Sequence, residues 1–110
     1  MSDIKKILGT RIRQLRKQLG FTQEVLAERA DLDFRTIGSV ERGESNLSIN
    51  SLEKVAQALG VSPSFLLDLT KDKESFSEKE LLIQELLYIF KAKEAKDLQL
   101  ILDLTKRVFE

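Results

Sequence analysis

The side chains available for chemistry in this sequence are charged and hydroxyl groups, because the chain contains no histidine and no cysteine. Histidine is the commonest general base and metal ligand near neutral pH, and cysteine supplies thiolates and disulfides. The sequence also lacks a glycine-rich phosphate loop, and its carboxylates are spread beside Lys and Arg as solvated pairs usually are. We therefore predict that the protein is not an enzyme and uses no cofactor or metal.

One group of side chains fits a different chemistry. In a helix that begins after Asp33, a step of about 100° per residue turns Ile37 and Val40 toward the core. The exposed face and its edges then hold Phe34, Arg35, Thr36, Gly38, Ser39 and Arg42. In the major groove of DNA, Arg pairs with guanine, hydroxyls pair with either base, and an aromatic ring packs on a thymine methyl. We predict base contacts from Phe34, Arg35, Thr36 and Ser39, with packing on a neighbouring helix or a partner as the alternative for Phe34.

Two short helices joined by a tight turn position these side chains. Thr22 is a favoured N-cap residue, and Leu26 and Ala30 lie on one apolar face of the first helix. Residues 31–33 form the turn, and Gly43 ends the second helix because glycine adopts the left-handed conformation without steric strain. This layout is typical of a DNA-reading helix-turn-helix.

Charge is distributed in a way that favours a nucleic-acid partner, although the formal net charge is zero. Residues 1–43 carry nine Lys and Arg against six Asp and Glu, residues 44–70 one against three, and residues 71–110 eight against nine. Positive charge is therefore concentrated around the predicted groove-reading helix. No apolar run approaches the roughly 20 residues that span a bilayer, and the N-terminus does not resemble a signal peptide, so we expect a cytoplasmic protein with no membrane partner.

Residues 3–19 read as the first helix, with an inward stripe at helical spacing. The stripe consists of Ile4, Leu8, Ile12, Leu15 and Leu19. On the opposite side, Lys6, Arg13 and Lys17, with Arg11 beside them, form either a solvated face or a set of phosphate contacts. Arg16 lies beside the stripe, which favours a structural ion pair.

Two further helices follow the helix-turn-helix. Asn50 and Glu53 have the spacing of a capping box and predict a fourth helix that ends at Gly60. Ser62 and Pro63 then begin a short fifth helix.

Residues 8–69 resemble the lambda-repressor-like (Xre/Cro-type) family of helix-turn-helix transcriptional regulators. The matching stretches are RIRQLRKQLGFTQEVLAERA, IGSVERG and LSINSLEKVAQALGVSPSFLL. The segment NLSINSLE also resembles, more weakly, the controller proteins of restriction–modification systems. The resemblance implies an all-α, five-helix DNA-binding domain and a regulator that binds double-stranded DNA.

The resemblance also implies roles for individual residues. Phe34, Arg35 and Ser39 match positions that meet base edges, and Arg16 and Glu41 match an ion pair between the first and third helices. The positions that match phosphate contacts are Gln23, Arg42, Ser45 and Asn46. Two residues depart from the family pattern: Asp31 stands where Gly is frequent, and Gly38 stands where Ser is usual. Gly38 either allows a close approach to DNA or weakens the helix.

The last part of the chain lies outside this resemblance. Residues 71–76 read as a linker, and Ser77 and Glu80 form a capping box. Two apolar stripes follow, separated by KAKEAKD, which predicts a helical hairpin, with one long helix as the alternative. The stripes pack either on the DNA-binding domain or, as we favour, on a second copy of the chain. The residues assigned to a dimer interface are Leu86, Phe90, Leu98, Ile101, Leu102 and Val108.

The sequence thus predicts an all-α protein with a DNA-binding domain at 1–70, a linker at 71–76 and a C-terminal two-helix dimerisation segment at 77–110. The expected function is a sequence-specific regulator that acts as a homodimer on a palindromic operator. The alternative is an antitoxin or another interaction module that binds a partner protein through its C-terminal helices.

Overall fold

The computed structural model describes residues 3–69 and 75–110, and within these ranges the fold is all-α, as predicted. The helices are α1 Ile4–Gln18, α2 Gln23–Ala30, α3 Phe34–Glu41, α4 Ile49–Leu59, α5 Pro63–Leu66, α6 Glu78–Lys91 and α7 Ala95–Phe109. The first five form the predicted domain, and the last two form the C-terminal extension. Residues 71–74 of the predicted linker lie outside the described residues.

Helices α1 to α5 surround a core of aliphatic side chains. Its largest fully buried aliphatic members are Ile12, Leu26, Ile37, Val40, Val55, Leu59 and Leu66. Gly9 allows α1 to approach α3, because a Cβ atom at this position would collide with the carbonyl oxygen of Val40 and lie 3.0 Å from that of Glu41. Helix α3 is therefore packed closely against the backbone of α1.

Side-chain caps define most of the helix starts. Asp3, Thr22, Ser62 and Ser77 each accept a backbone N–H of the first turn that follows, as the N-cap rule expects. Helix α4 corrects the sequence interpretation, because it begins two residues earlier than predicted. Its cap is Ser48, whose hydroxyl accepts the N–H of Ser51 at 3.1 Å.

Arg11 is a second correction, because it belongs to the core and not to the basic face of α1. Its side chain is fully buried, Nη1 donates to the carbonyl oxygen of Leu66 at 2.9 Å, and its guanidinium lies 5.0 Å from the ring centroid of Phe76. Burial lowers the pKa of Arg11, and the nearby Asp68 carboxylate partly offsets this effect. Arg11 therefore ties α1 to α5 and is unavailable to DNA.

Phe76 belongs to the core although the sequence placed it in the linker. It is buried, and its ring stacks on Phe65 with 4.4 Å between centroids. Helix α6 follows directly and packs with one side against α1. Its other side carries apolar residues that remain exposed, so α6 contacts the DNA-binding domain without using its full apolar surface.

Candidate nucleic-acid interface

The turn between α2 and α3 sets the direction of the candidate reading helix. Asp31 ends α2 in the left-handed conformation with φ 55° and ψ 50°. Asp33 then caps α3 by accepting the N–H of Arg35 at 2.9 Å. Short polar residues such as Asp tolerate the left-handed region better than most, which explains why the turn forms without glycine. The result is a compact helix-turn-helix that ends at Gly43, with φ 73°.

Helix α3 buries one side and presents the other to solvent. Ile37 and Val40 are buried in the core. On the outer side Arg35 is exposed, Thr36 and Ser39 are half-buried, and Phe34 keeps 48% of its surface exposed. The four predicted base readers therefore lie on one helix, and the opposite side of that helix is packed in the core. Their contact with DNA stays a prediction.

Gly38 was expected on the outer face but is buried. The space that a Cβ atom would occupy lies 3.1 Å from Nη1 of Arg42 and 3.4 Å from Oε1 of Gln23. Two longer side chains therefore cover the glycine from either side. The expectation was wrong because helical periodicity carries no information about the side chains that pack over a position from elsewhere in the fold.

The loop after α3 brings together residues that had been assigned to different roles. The hydroxyls of Ser39 and Ser45 hydrogen-bond to each other, which joins a predicted base reader to a predicted phosphate contact. Arg42 is exposed and forms an ion pair with Glu44, with 2.9 Å between Nε and Oε1. Asn46 is exposed beyond them. Sequence analysis missed Glu44, whose charge lowers the positive potential around Arg42.

A buried polar network supports this surface from the core side. Arg16 Nε and Nη2 donate to the two carboxylate oxygens of Glu41 at 2.6 and 2.9 Å, and Nη1 donates to the carbonyl oxygen of Phe21 at 2.8 Å. The hydrogen bond with Glu41 raises the pKa of Arg16 and outweighs the opposing effect of burial. Gln23 joins the network by donating from Nε2 to Glu41 Oε1 at 3.1 Å.

This network has a consequence for Gln23, the predicted phosphate contact at the start of α2. Its side-chain amide donates to Glu41, and the backbone N–H groups at the start of α2 include that of Val25, which donates to the Thr22 hydroxyl at 3.1 Å. A helix N-terminus attracts anions through these groups and the helix dipole. The α1–α3 ion pair therefore orients the predicted anion-binding end of α2.

The predicted dimer residues lie on the two C-terminal helices, α6 and α7. Neither α6 nor α7 contains a buried residue. Leu86, Leu102 and Val108 are exposed, whereas Phe90, Leu98 and Ile101 are half-buried. The structure thus presents these residues at the surface of a single chain.

Residues 3–69 and 75–110 contain neither a metal-binding cluster nor a membrane-spanning helix. No group of three or more acidic residues in these ranges is arranged to hold a metal ion. No helix there is long and apolar enough to cross a membrane.

The five-helix arrangement and the exposed face of α3 define a DNA-binding helix-turn-helix protein. The family model described as Helix-turn-helix matches residues 12–66, which is half of the chain. The chain therefore belongs to the helix-turn-helix family of DNA-binding regulators, and the resemblance found in the sequence is confirmed.

Three related proteins illustrate the match. Control protein C.BamHI of Bacillus amyloliquefaciens is 40% identical over 70 residues, which cover 63% of this chain and 86% of that protein. The structure of the SinR–SinI complex matches with a TM-score of 0.58 and 35% identity over 90% of this chain and 94% of that one. The controller protein C.Esp1396I, solved as a tetramer with its natural 35 base-pair operator, matches with a TM-score of 0.56 and 32% identity over 74% of this chain and 99% of that one.

Proposed function

We propose that the protein is a sequence-specific transcription regulator that binds a palindromic operator as a homodimer. The observation that carries this proposal is the outer face of α3. Phe34, Arg35, Thr36 and Ser39 lie there on a helix whose opposite side is fixed in the core. A helix held in this way enters the major groove with its side chains already oriented toward the base edges.

Base reading and phosphate binding are assigned to different residues. Arg35 is the main base reader, because an exposed guanidinium pairs in a bidentate manner with O6 and N7 of guanine. Gln23, Arg42, Ser45 and Asn46 surround α3 and contact phosphates. Such contacts set the position of the protein on the duplex but carry no sequence information.

The homodimer rests on the apolar surface of α6 and α7. The large side chains exposed on these helices include Leu82, Leu86, Leu100, Leu102, Leu104, Val108 and Phe109. A monomer rarely exposes so many large apolar side chains on two consecutive helices, and a second copy covers them most simply in a two-fold arrangement. Two copies would present two α3 helices to half-sites about 34 Å apart. The tetramer that C.Esp1396I forms on its operator supports assembly on DNA in a related protein.

Fluorescence anisotropy with an operator selected from a random duplex library tests base reading. We expect Arg35→Ala to weaken specific binding by about 1–3 kcal/mol, roughly 5- to 150-fold, and to relax specificity at one base position. The matched control is Arg13→Ala, which removes an exposed Arg from α1. It should leave base preference unchanged and should at most lower the salt dependence of binding by one phosphate contact.

Binding that is weak, insensitive to salt and unaffected by Arg35→Ala would show that α3 does not read DNA. The proposed function would then be wrong.

A second candidate function uses the same C-terminal surface for a different protein. One chain of the SinR–SinI complex, which contains two different proteins, matches 90% of this chain. An antitoxin or another interaction module would use α6 and α7 to bind such a partner. Light scattering on the purified chain separates the candidates: a dimer without a partner supports the homodimer, and a monomer that associates only with a co-purifying protein supports the second candidate.

A further inference from the structure

Helix α6 is attached to the DNA-binding domain through specific polar contacts along α1. Gln14 binds the backbone of Phe76 twice, with Nε2 donating to the carbonyl oxygen at 3.0 Å and Oε1 accepting the N–H at 2.7 Å. One turn further along α1, Gln18 Nε2 donates to Glu85 Oε2 at 2.7 Å. These contacts fix the start and the middle of α6 on the surface of α1.

Two residues near the end of α6 extend the attachment to α2 and α4. The ring of Tyr88 meets Phe21 edge to face, with 6.2 Å between centroids, and its hydroxyl lies 3.5 Å from Nη1 of Arg29 in α2. The same ring covers Gly60, where an added Cβ atom would collide with it. Lys91 Nζ donates to the carbonyl oxygen of Gly60, the C-cap of α4, at 2.8 Å.

These contacts determine how α6 is oriented relative to the reading helix. Helix α2 packs against α3, so contacts from α6 to α1, α2 and the end of α4 fix α6 in the same rigid unit as α3. In a dimer formed through the exposed side of α6 and α7, the separation of the two α3 helices depends on this orientation. A dimer that binds two half-sites at once gains avidity only at the separations its geometry permits.

We propose that Tyr88 and Lys91 are specificity-determining residues that set which half-site spacing the dimer accepts. This inference rests on the homodimer and operator proposed above. The two residues do not contact DNA; they act by fixing α6, and through it the partner copy, at one angle to α3. Loss of these contacts leaves each half-site contact intact and removes the selection for spacing.

The test uses the full-length chain and the operator that the wild-type protein selects from a random library. The separation of the half-sites is changed in steps of about one base pair, and affinity is measured at each spacing. We expect the wild type to lose at least about tenfold in affinity within two steps, and the Tyr88→Ala/Lys91→Ala variant to lose less than about threefold. Lys93→Ala is the matched control, since it removes an exposed lysine from the turn after α6 and should retain the wild-type profile.

Two measurements establish that the double variant is informative. We expect sedimentation to show a dimer and the affinity for a single half-site to equal that of the wild type. If a folded double variant lost either property, the inference would be overturned, because the two residues would then act on dimerisation or on DNA binding itself. If loss of the Tyr88 ring unfolds the domain, Gln18→Ala/Lys91→Ala gives the same readout, because it removes two hydrogen bonds and little apolar surface.

A folded, dimeric variant that keeps the wild-type spacing profile would overturn the inference and leave the proposed function intact. A wild-type protein that does not dimerise or does not select an operator would overturn the proposed function, and the inference with it.

Discussion

The two regions of the molecule use apolar residues in opposite ways. Among the described residues, helices α1 to α5 enclose nearly all of the buried side chains, and Phe76 adds one more just before α6. Helices α6 and α7 contain no buried residue, and Val108 and Phe109 keep 71% and 82% of their surface exposed. The DNA-binding half therefore buries its apolar core within one chain, whereas the C-terminal half leaves an apolar surface exposed, which the proposed dimer would cover.

The same contrast holds for polar interactions. The DNA-binding half contains a charged pair that is almost removed from water, with 10% and 3% of the side-chain surfaces of Arg16 and Glu41 exposed. The ion pair of Lys96 with Glu94 beside α7 spans 4.0 Å and has both side chains about four-fifths exposed. Exposed ion pairs of this kind contribute little to stability, because solvent screens the attraction and because ordering the two side chains costs conformational entropy.

The largest expected effect comes from breaking the buried pair. We expect Glu41→Ala to lower the free energy of unfolding by about 3–5 kcal/mol, because it leaves the Arg16 guanidinium buried without its carboxylate. The same change frees Gln23 from its hydrogen bond. Urea unfolding followed by circular dichroism measures the effect.

Glu44→Gln is the control for this prediction. It removes a carboxylate from the exposed pair with Arg42 and should change stability by less than about 0.5 kcal/mol. Equal losses for the two substitutions would show that burial does not distinguish the pairs.

A matched pair of leucine substitutions tests the comparison itself. Leu59 is 1% exposed and Leu102 is 46% exposed. In a dilute, monomeric sample we expect Leu59→Ala to lower the free energy of unfolding by about 2–5 kcal/mol. Leu102→Ala should lower it by less than about 0.5 kcal/mol. The proposed dimer adds a second expectation: the cost of Leu102→Ala rises with protein concentration, because association stabilises only the wild-type surface.

Thermal unfolding over a range of protein concentrations measures the loss of stability for each substitution and how that loss changes with concentration. A cost for Leu102→Ala that stays small at every concentration would remove this residue from the interface. A large cost in the dilute sample would mean that α7 packs on its own chain.

Much of the fold was predictable from local signals in the sequence. The apolar stripes and the caps at Thr22, Asp33, Ser62 and Ser77 are properties of a few neighbouring residues, and the helices begin where these signals lie. The predicted start of α4 was wrong, because Ser48 and Asn50 are both residues that cap helices and only the folded loop decides between them.

The remaining features depend on residues that are distant in sequence. In the sequence Arg11 lies beside the basic residues of α1. Only the fold shows that Phe76 and the carbonyl oxygen of Leu66 contact its side chain. Similarly, nothing around Tyr88 indicates that it meets Phe21 and Gly60. At the candidate DNA surface, helical periodicity located Arg35 and Ser39, but the covering of Gly38 by Gln23 and Arg42 follows from tertiary packing.

The smallest predicted effect concerns two glycines inside helices of the DNA-binding half. Glycine is less favourable than alanine within a helix by about 1 kcal/mol, so substitution by alanine stabilises a helix when space permits. At Gly9 the added Cβ atom meets the rigid backbone of α3. We expect Gly9→Ala to lower the free energy of unfolding by about 1–3 kcal/mol, as overpacking of a core usually does. The temperature of thermal unfolding should fall as well.

Gly38→Ala should have the opposite effect on folding, because the atoms nearest to its added Cβ are the flexible ends of Arg42 and Gln23, at 3.1 and 3.4 Å. We expect stability to be unchanged or to rise by up to about 1 kcal/mol. Operator affinity then decides why this position is glycine. A variant that is stable but binds DNA several-fold more weakly would show that Gly38 serves the placement of Arg42 and Gln23 on DNA, whereas unchanged binding would show that the glycine only weakens α3.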